Sequence, residues 1–539
     1  MRFYRPTLPS GVVCILTAIY LLFVTNAPFW AEASAYFSDH KSKLIIFALI
    51  LLLLYISIIT IFSVKYFIKP FLIFLVLVAA IGSYFTKTFG IIIDRHVIES
   101  AFATTQAESS HLITPHMIEH MLLYGVLPSL VIIWIRFSHF SFFKKFWFNF
   151  GGVMLCFVGA CALLYADLGS FASMYREQRS TMMKKLEPVV PILSTVQYVT
   201  YSVHDASGVL QPIGLDAKTP LINNTTEKKR LTVIVVGETG RAQSFSLGGY
   251  NRETNPELKT RDVIYFPNTT SCGTETSVSV PCMFSMFTRQ DYSGYKGHNT
   301  ENLMDVLNHA GLKTIWWENN TGSKGVADRI GEQDFQNSND PFYCTSSGEC
   351  RDQILVDELK KKISSIDKDT VLVLHTLGSH GPSYYLRYPK DLVGFEPACK
   401  TPEFSDCTNA EIVNAYDNTI LYTDQILSEI IDLLKEQSDR LQTSMIYMSD
   451  HGESLGEHGI YLHAMPYMIA PEQQKHIPFV AWFSPDFLKE NKLDINCIRA
   501  EREKPYSHDN LFHTVLGLMD VSTSVYDKTL DAFAACRAN

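Results

Sequence analysis

Five apolar runs fill much of the first 166 residues, and they decide what the rest of the chain can be. They cover 11–30, 44–64, 71–86, 118–135 and 149–166. A helix that crosses a bilayer needs about 20 apolar residues, because the hydrocarbon core offers no partner for an open backbone group. The third run, FLIFLVLVAAIGSYFT, is short, and the fourth opens on Glu119 and His120. The first reads as a span and not as a cleaved leader, since four more follow and no small-residue cleavage site is evident. The expectation is a five-helix N-terminal transmembrane domain over 1–168.

The basic residues orient it. Arg2 and Arg5 precede the first run, Lys65 and Lys69 separate the second from the third, and Arg136, Lys144 and Lys145 separate the fourth from the fifth. All fall on one side, which the positive-inside rule makes cytoplasmic. Everything after residue 168 then lies outside, in the periplasm of a bacterial inner-membrane protein. Residues 169–229 read as a periplasmic connector, part of it amphipathic and basic, and 230–539 as a globular catalytic domain. The net charge of −9 argues against nucleic acid as a partner.

The cysteines support the same side by different residues. Of 11, three lie in the apolar runs, and eight follow residue 270: Cys272, Cys282, Cys344, Cys350, Cys399, Cys407, Cys497 and Cys536. The first six fall as close neighbours, the even total leaves two more, and no CxxC zinc spacing occurs. Such a set suits an oxidising compartment.

The soluble part alternates strand-like and helix-like segments, as α/β folds do. Three continuous apolar runs end in ligand-type side chains: RLTVIVVGETGR at Glu238, DTVLVLHTLGSHGP at His380, and TSMIYMSDHGE at Asp450 and His451. Runs of this kind suit strands buried on both faces of a parallel sheet, whose ligands bind beyond the carboxyl ends. One such ending is an ordinary polar turn; three converge on a site. Glu238, Asp450 and His451 would give zinc three ligands and leave a fourth position open. His380 and His463 are further histidines for the same pocket. The stretch SCGTETSVSVPCMFS carries four hydroxyls, on Thr274, Thr276, Ser277 and Ser279, that a base or metal could activate. Chemistry alone does not choose among them.

The motifs VVGETGR, SCGTETSVSVPCMFS, WWENNTGSKG, HTLGSHGPSYYLRYP, NAYDNTILYTD and SDHGESLGEHGIYLH together resemble one family. It is the lipid A phosphoethanolamine transferases, in particular the mobile colistin resistance enzymes, and the resemblance covers essentially the whole chain. It implies an alkaline-phosphatase-like (sulfatase-like) periplasmic domain with Thr276 as nucleophile. The implied zinc ligands are Glu238, Thr276, Asp450 and His451, with a second zinc or the phosphoethanolamine group at His380 and His463. Asn320, Lys324, Thr104 and Glu108 match substrate-contacting positions. The pairs Cys272–Cys282, Cys344–Cys350 and Cys399–Cys407 match family disulfides, and parity leaves Cys497 with Cys536. The implied reaction moves phosphoethanolamine from phosphatidylethanolamine to a lipid A phosphate through Thr276, conferring polymyxin resistance on the cell, with the protein a monomer. Rival readings are a transferase with another acceptor, such as core sugar or protein, and a zinc phosphatase or sulfatase.

Overall fold

A computed structural model describes residues 5–538 apart from 139–140, 206, 220–227, 339, 346–347 and 393, and without the side chains of residues 107, 108 and 337. The chain divides into two units. One comprises Met1–Ile98 and Ile113–Tyr198, the other Glu99–Leu112 and Val199–Asn539.

In the first unit, helices Lys41–Ile61, Ile68–Phe89, Pro115–Trp134 and Phe142–Ala166 are long and apolar enough to span a membrane. The run at 11–30 is not one straight helix. It breaks into Ser10–Val24 and Ala27–Tyr36, bent by 68°, and supplies a fifth span if the bent pair counts as one. The cause lies at Asn26, just before Pro28. Its side chain donates to Leu21 O at 2.7 Å and Glu187 O at 2.9 Å and accepts from Glu187 N at 2.8 Å. The short third run is extended at both ends, to Ile68–Phe89, and at its start Lys69 reaches carbonyls at Ile133 and Ile135. The fourth span carries a π-helical turn at Met121–Val126, just ahead of Pro128, a usual place for a helix to adjust its ladder. The connector is helical at Leu168–Gln178 and Val189–Asp205.

The second unit is built on eight strands: β1 Lys229–Gly237, β2 Ile264–Thr270, β3 Lys313–Glu318, β4 Glu332–Asp334, β5 Thr370–His375, β6 Leu441–Ser449, β7 His476–Phe483 and β8 Tyr506–Ser507. Their order across the sheet is β8-β2-β7-β6-β1-β5-β3-β4. From β6 through β4 the neighbours run parallel, and β7 lies antiparallel to both β6 and β2. From Leu231 to the end of β1, and throughout β5 and β6, every residue is buried, as their unbroken apolar runs require. Register sets the site. Val236 lies between His375 and Met448, and Gly237 opposite Ser449, so the residues that follow β1, β5 and β6 emerge at one edge. The long helix Asn409–Glu436 starts from a capping box, Thr408 with Glu411, and leads into β6. Four disulfides close, Cys272–Cys282, Cys344–Cys350, Cys399–Cys407 and Cys497–Cys536, which are the four expected pairs.

Candidate metal and nucleophile site

Glu238 follows β1, and Asp450 and His451 follow β6. Each of the three offers one ligand atom, these atoms lie within 4.8 Å of one another, and all three residues are buried. Their hydrogen bonds show what they lack. Asp450 Oδ1 accepts from the N–H of Thr239 and of His451 at 3.1 and 2.7 Å. Its Oδ2 is buried with no hydrogen-bond partner among the described residues. His451 Nδ1 donates to Gly452 O at 2.9 Å, which fixes the tautomer and leaves a lone pair on Nε2. That lone pair meets oxygen atoms: Asp450 Oδ2 at 3.3 Å and Glu238 Oε1 at 3.4 Å. Burial first, then neighbouring His463, lowers the His451 imidazole to about 3. Burial and the Glu238 carboxylate hold the Asp450 carboxyl well above the usual range. Two carboxyl groups and an imidazole lone pair facing one another need a proton or a cation between them. The donor set of two oxygens and one nitrogen fits zinc.

The chain turns away from the candidate metal ligands tightly at Gly452. A Cβ there would lie 2.0 Å from Gln473 O, so only glycine fits.

Thr276 opens the helix Thr276–Met283. Its Oγ1 lies 3.1 Å from Glu238 Oε2 and 3.5 Å from His451 Nε2. Among the described residues, the other three hydroxyls of the disulfide loop do not hydrogen-bond to Glu238 or His451. Thr274 Oγ1 bonds Met465 O and Glu275. Ser277 and Ser279 are buried at their oxygens without partners among the described residues. The backbone N–H groups of a helix's first turn suit an anion, and Thr276 stands at such a start.

The rings of His451 and His463 approach to 4.5 Å between centroids, and those of His463 and His380 to 5.7 Å. His463 Nδ1 donates to Glu453 Oε2 at 2.9 Å, and Tyr384 donates to the other Glu453 oxygen. Burial opposes charge on His463, but the Glu453 carboxylate outweighs it and raises the imidazole to about 9. His380 is held through its backbone: Arg387 Nε donates to His380 O at 2.7 Å. Arg387 also pairs with the buried Glu349 at 2.8 Å.

The remaining expected residues are placed differently. Asn320 is buried, with Nδ2 on Glu238 Oε2 at 2.7 Å. Lys324 Nζ donates to Thr321 O and Oγ1 at 2.6 and 2.7 Å. Thr104 Oγ1 bonds back to Ser100 O at 2.7 Å, and the Glu108 side chain lies outside the described residues. Reading the sequence missed three buried groups beside the site: Glu318, His375 and His508. Each ends or follows a β-rich segment, and an isolated residue of this type carries no spacing signal.

Two family models match the chain. One, of the phosphoethanolamine transferases EptA/EptB, covers residues 49–203, and one of the sulfatases covers 230–521. Phosphoethanolamine transferase EptA of Escherichia coli K12 is 39% identical over 99% of this chain and 98% of its own length. Phosphatidylethanolamine transferase Mcr-1 of Escherichia coli is 32% identical over the same shares. The integral membrane lipooligosaccharide phosphoethanolamine transferase A of Neisseria meningitidis superposes with a TM-score of 0.95 at 35% identity, covering 99% of this chain and all of that one. These values support the broader family and do not single out the mobile colistin resistance branch to which the motifs pointed.

Proposed function

The chain belongs to the EptA/EptB phosphoethanolamine transferases, membrane proteins with a sulfatase-like periplasmic domain, and from that premise we propose that it moves phosphoethanolamine from phosphatidylethanolamine to a lipid A phosphate through a covalent Thr276 intermediate. The observation that carries the reading is the position of Thr276 Oγ1 at the start of a helix, 3.1 Å from Glu238 Oε2 and 3.5 Å from His451 Nε2. Glu238, Asp450 and His451 would hold a zinc ion with Thr276 as the fourth ligand. Bound there, zinc would act as a Lewis acid on phosphoryl oxygen and lower the pKa of the nucleophile.

The chain's own groups then divide the work. The Thr276 hydroxyl donates towards Glu238 Oε2, the acceptor for its proton as Oγ1 attacks phosphorus. The P–O bond to diacylglycerol breaks, and the leaving alkoxide takes a proton from His463, which is oriented by Glu453. The phosphoethanolamine group stays on Thr276. An oxygen of the lipid A phosphate attacks the same phosphorus, its proton returns to His463, the Thr276 P–O bond breaks, and Oγ1 recovers its proton from Glu238. His380 and Lys324 are assigned to the phosphoryl oxygens, and Thr104 and Glu108 to the lipid substrate. The product gains an ammonium group, which weakens attraction for polycationic polymyxins.

Mass spectrometry of lipid A from cells expressing the chain tests this. A gain of one phosphoethanolamine on a lipid A phosphate is expected, together with reduced polymyxin susceptibility. Lipid A of unchanged mass in cells that contain the folded protein would overturn the acceptor assignment.

A further inference from the structure

Behind Glu238 lies a buried polar network that the proposed chemistry does not use. It crosses the carboxyl ends of three neighbouring strands, β1, β5 and β3. Asn320 is 3% exposed. Its two amide hydrogens are engaged, Nδ2 donating to Glu238 Oε2 at 2.7 Å and to Thr376 O at 3.0 Å. Its Oδ1 accepts from Thr321 N at 2.8 Å. The amide therefore has no donor left for a substrate.

Asn320 is itself held from behind. Its backbone N–H donates to Glu318 Oε1 at 2.7 Å. Glu318 Oε2 accepts from Trp316 Nε1 and His375 Nδ1, both at 2.8 Å. His375 Nε2 lies 3.3 Å from Asn320 Nδ2. Glu318 is 1% exposed and His375 fully buried. Burial alone would raise the Glu318 carboxyl, but the His375 imidazole and the three donors outweigh it and hold it below its usual range. The network has a direction. A buried carboxylate anchored on β3 fixes Asn320, and Asn320 takes up one oxygen of Glu238. Glu238 Oε1 takes the Thr239 hydroxyl and faces His451 Nε2. Such partners behind a metal ligand set its orientation and typically change metal affinity 10- to 100-fold when lost.

We infer that Asn320 is a positioning residue for Glu238, not a substrate contact, and that the buried Glu318–His375 pair holds it in place. The inference rests on the reading of the site as a zinc centre, and it replaces the substrate role the resemblance implied for Asn320.

The test uses the full-length chain and zinc itself, titrated against a chromophoric chelator. Asn320→Ala is expected to bind zinc at least ~10-fold more weakly than wild type. Once saturated with zinc, its KM for phosphatidylethanolamine should stay within about twofold of wild type. Glu318→Gln, which turns an amide against two donors, is expected to weaken zinc in the same direction while leaving thermal unfolding cooperative. If Asn320→Ala does not fold, Asn320→Ser carries the same measurement. An Asn320 variant that binds zinc as tightly as wild type, or whose KM rises tenfold at saturating zinc, would overturn the positioning role alone. A wild-type chain that takes up no zinc would overturn the metal reading and this inference with it.

Discussion

One imidazole outside the reactive cluster joins its two halves, and its chemistry makes the fold sensitive to acid. His508 is 1% exposed. Its Nδ1 accepts from the N–H of Cys272 at 3.0 Å, and its Nε2 donates to Ser449 O at 2.9 Å. Cys272 opens the disulfide loop that carries Thr276, and Ser449 precedes Asp450. The bond from Cys272 requires the neutral ring, since a proton on Nδ1 destroys the acceptor, whereas the bond to Ser449 O survives protonation. Burial accordingly lowers the imidazole from 6.5 to about 4. The sign follows from which state binds the proton. Between pH 6.5 and about 4 the unfolded chain takes a proton that the folded chain refuses, so stability falls as pH drops through that window. The full effect is roughly 3 kcal/mol, about 1.4 kcal/mol for each pH unit.

His508→Gln separates the titration from the packing. The amide keeps a donor for Ser449 O, but it leaves the buried Cys272 N–H without an acceptor. At pH 8 the variant should be about 2 kcal/mol less stable than wild type. On acidification only the wild type loses the His508 contribution, so by pH 5 the two should nearly coincide. Unfolding of the full chain in detergent, followed by tryptophan fluorescence from pH 8 to pH 5, measures the gap. Other buried groups titrate in the same range, among them Asp424, which burial pushes up to about 7. They are common to both proteins and cancel in the difference. A gap that stays constant across the range would refute the argument.

Three further perturbations probe the site. Thr276→Ala should retain zinc by metal analysis yet show no phosphoethanolamine adduct by intact mass after exposure to phosphatidylethanolamine; an adduct of normal yield would place the covalent step elsewhere. Gly378 has φ +52°, and a Cβ there would lie 2.7 Å from Glu238 O. Gly378→Ala should cost about 2–4 kcal/mol in chemical denaturation and lower zinc occupancy, because the clash falls on the backbone of a ligand. Glu349→Gln breaks a pair with Arg387 in which both side chains are at most 4% exposed, and His111 Nε2 also lies 2.7 Å from Glu349. It should destabilise the chain by about 3 kcal/mol or more by the same assay, and it should reduce transfer through the Arg387 bond to His380 O.

What the sequence made legible follows from burial on both faces. β1, β5 and β6 are continuous apolar runs, so their ends could be found, and the ligand types at those ends could be read off directly. The bend at Asn26 could not, because it depends on a partner 161 residues away at Glu187. The choice among four hydroxyls was equally closed to spacing. It depends on the phase of the helix that starts at Thr276, and only the resemblance to a known family selected one of them.

Glu318, His375 and His508 were invisible for a different reason, and that reason separates scaffold from chemistry at this sheet edge. Glu, His and Asp all cluster beyond the strands, so residue type does not distinguish a ligand from a support. Hydrogen-bond satisfaction does. Both oxygens of Glu318 accept from strong donors, both His508 nitrogens have partners, and Asn320 uses both of its amide hydrogens. Each is complete without any ligand, as buried polar groups in a rigid scaffold are. Of the candidate ligands, Glu238 accepts at both oxygens, and satisfaction stops at the other two. Asp450 Oδ2 has no donor among the described residues, and the His451 Nε2 lone pair looks at carboxylate oxygens. Leaving buried groups in that state costs folding free energy that a bound cation returns. Asp450 Oδ2 and His451 Nε2 mark the candidate metal position, and the satisfied groups behind Glu238 hold its carboxylate towards it.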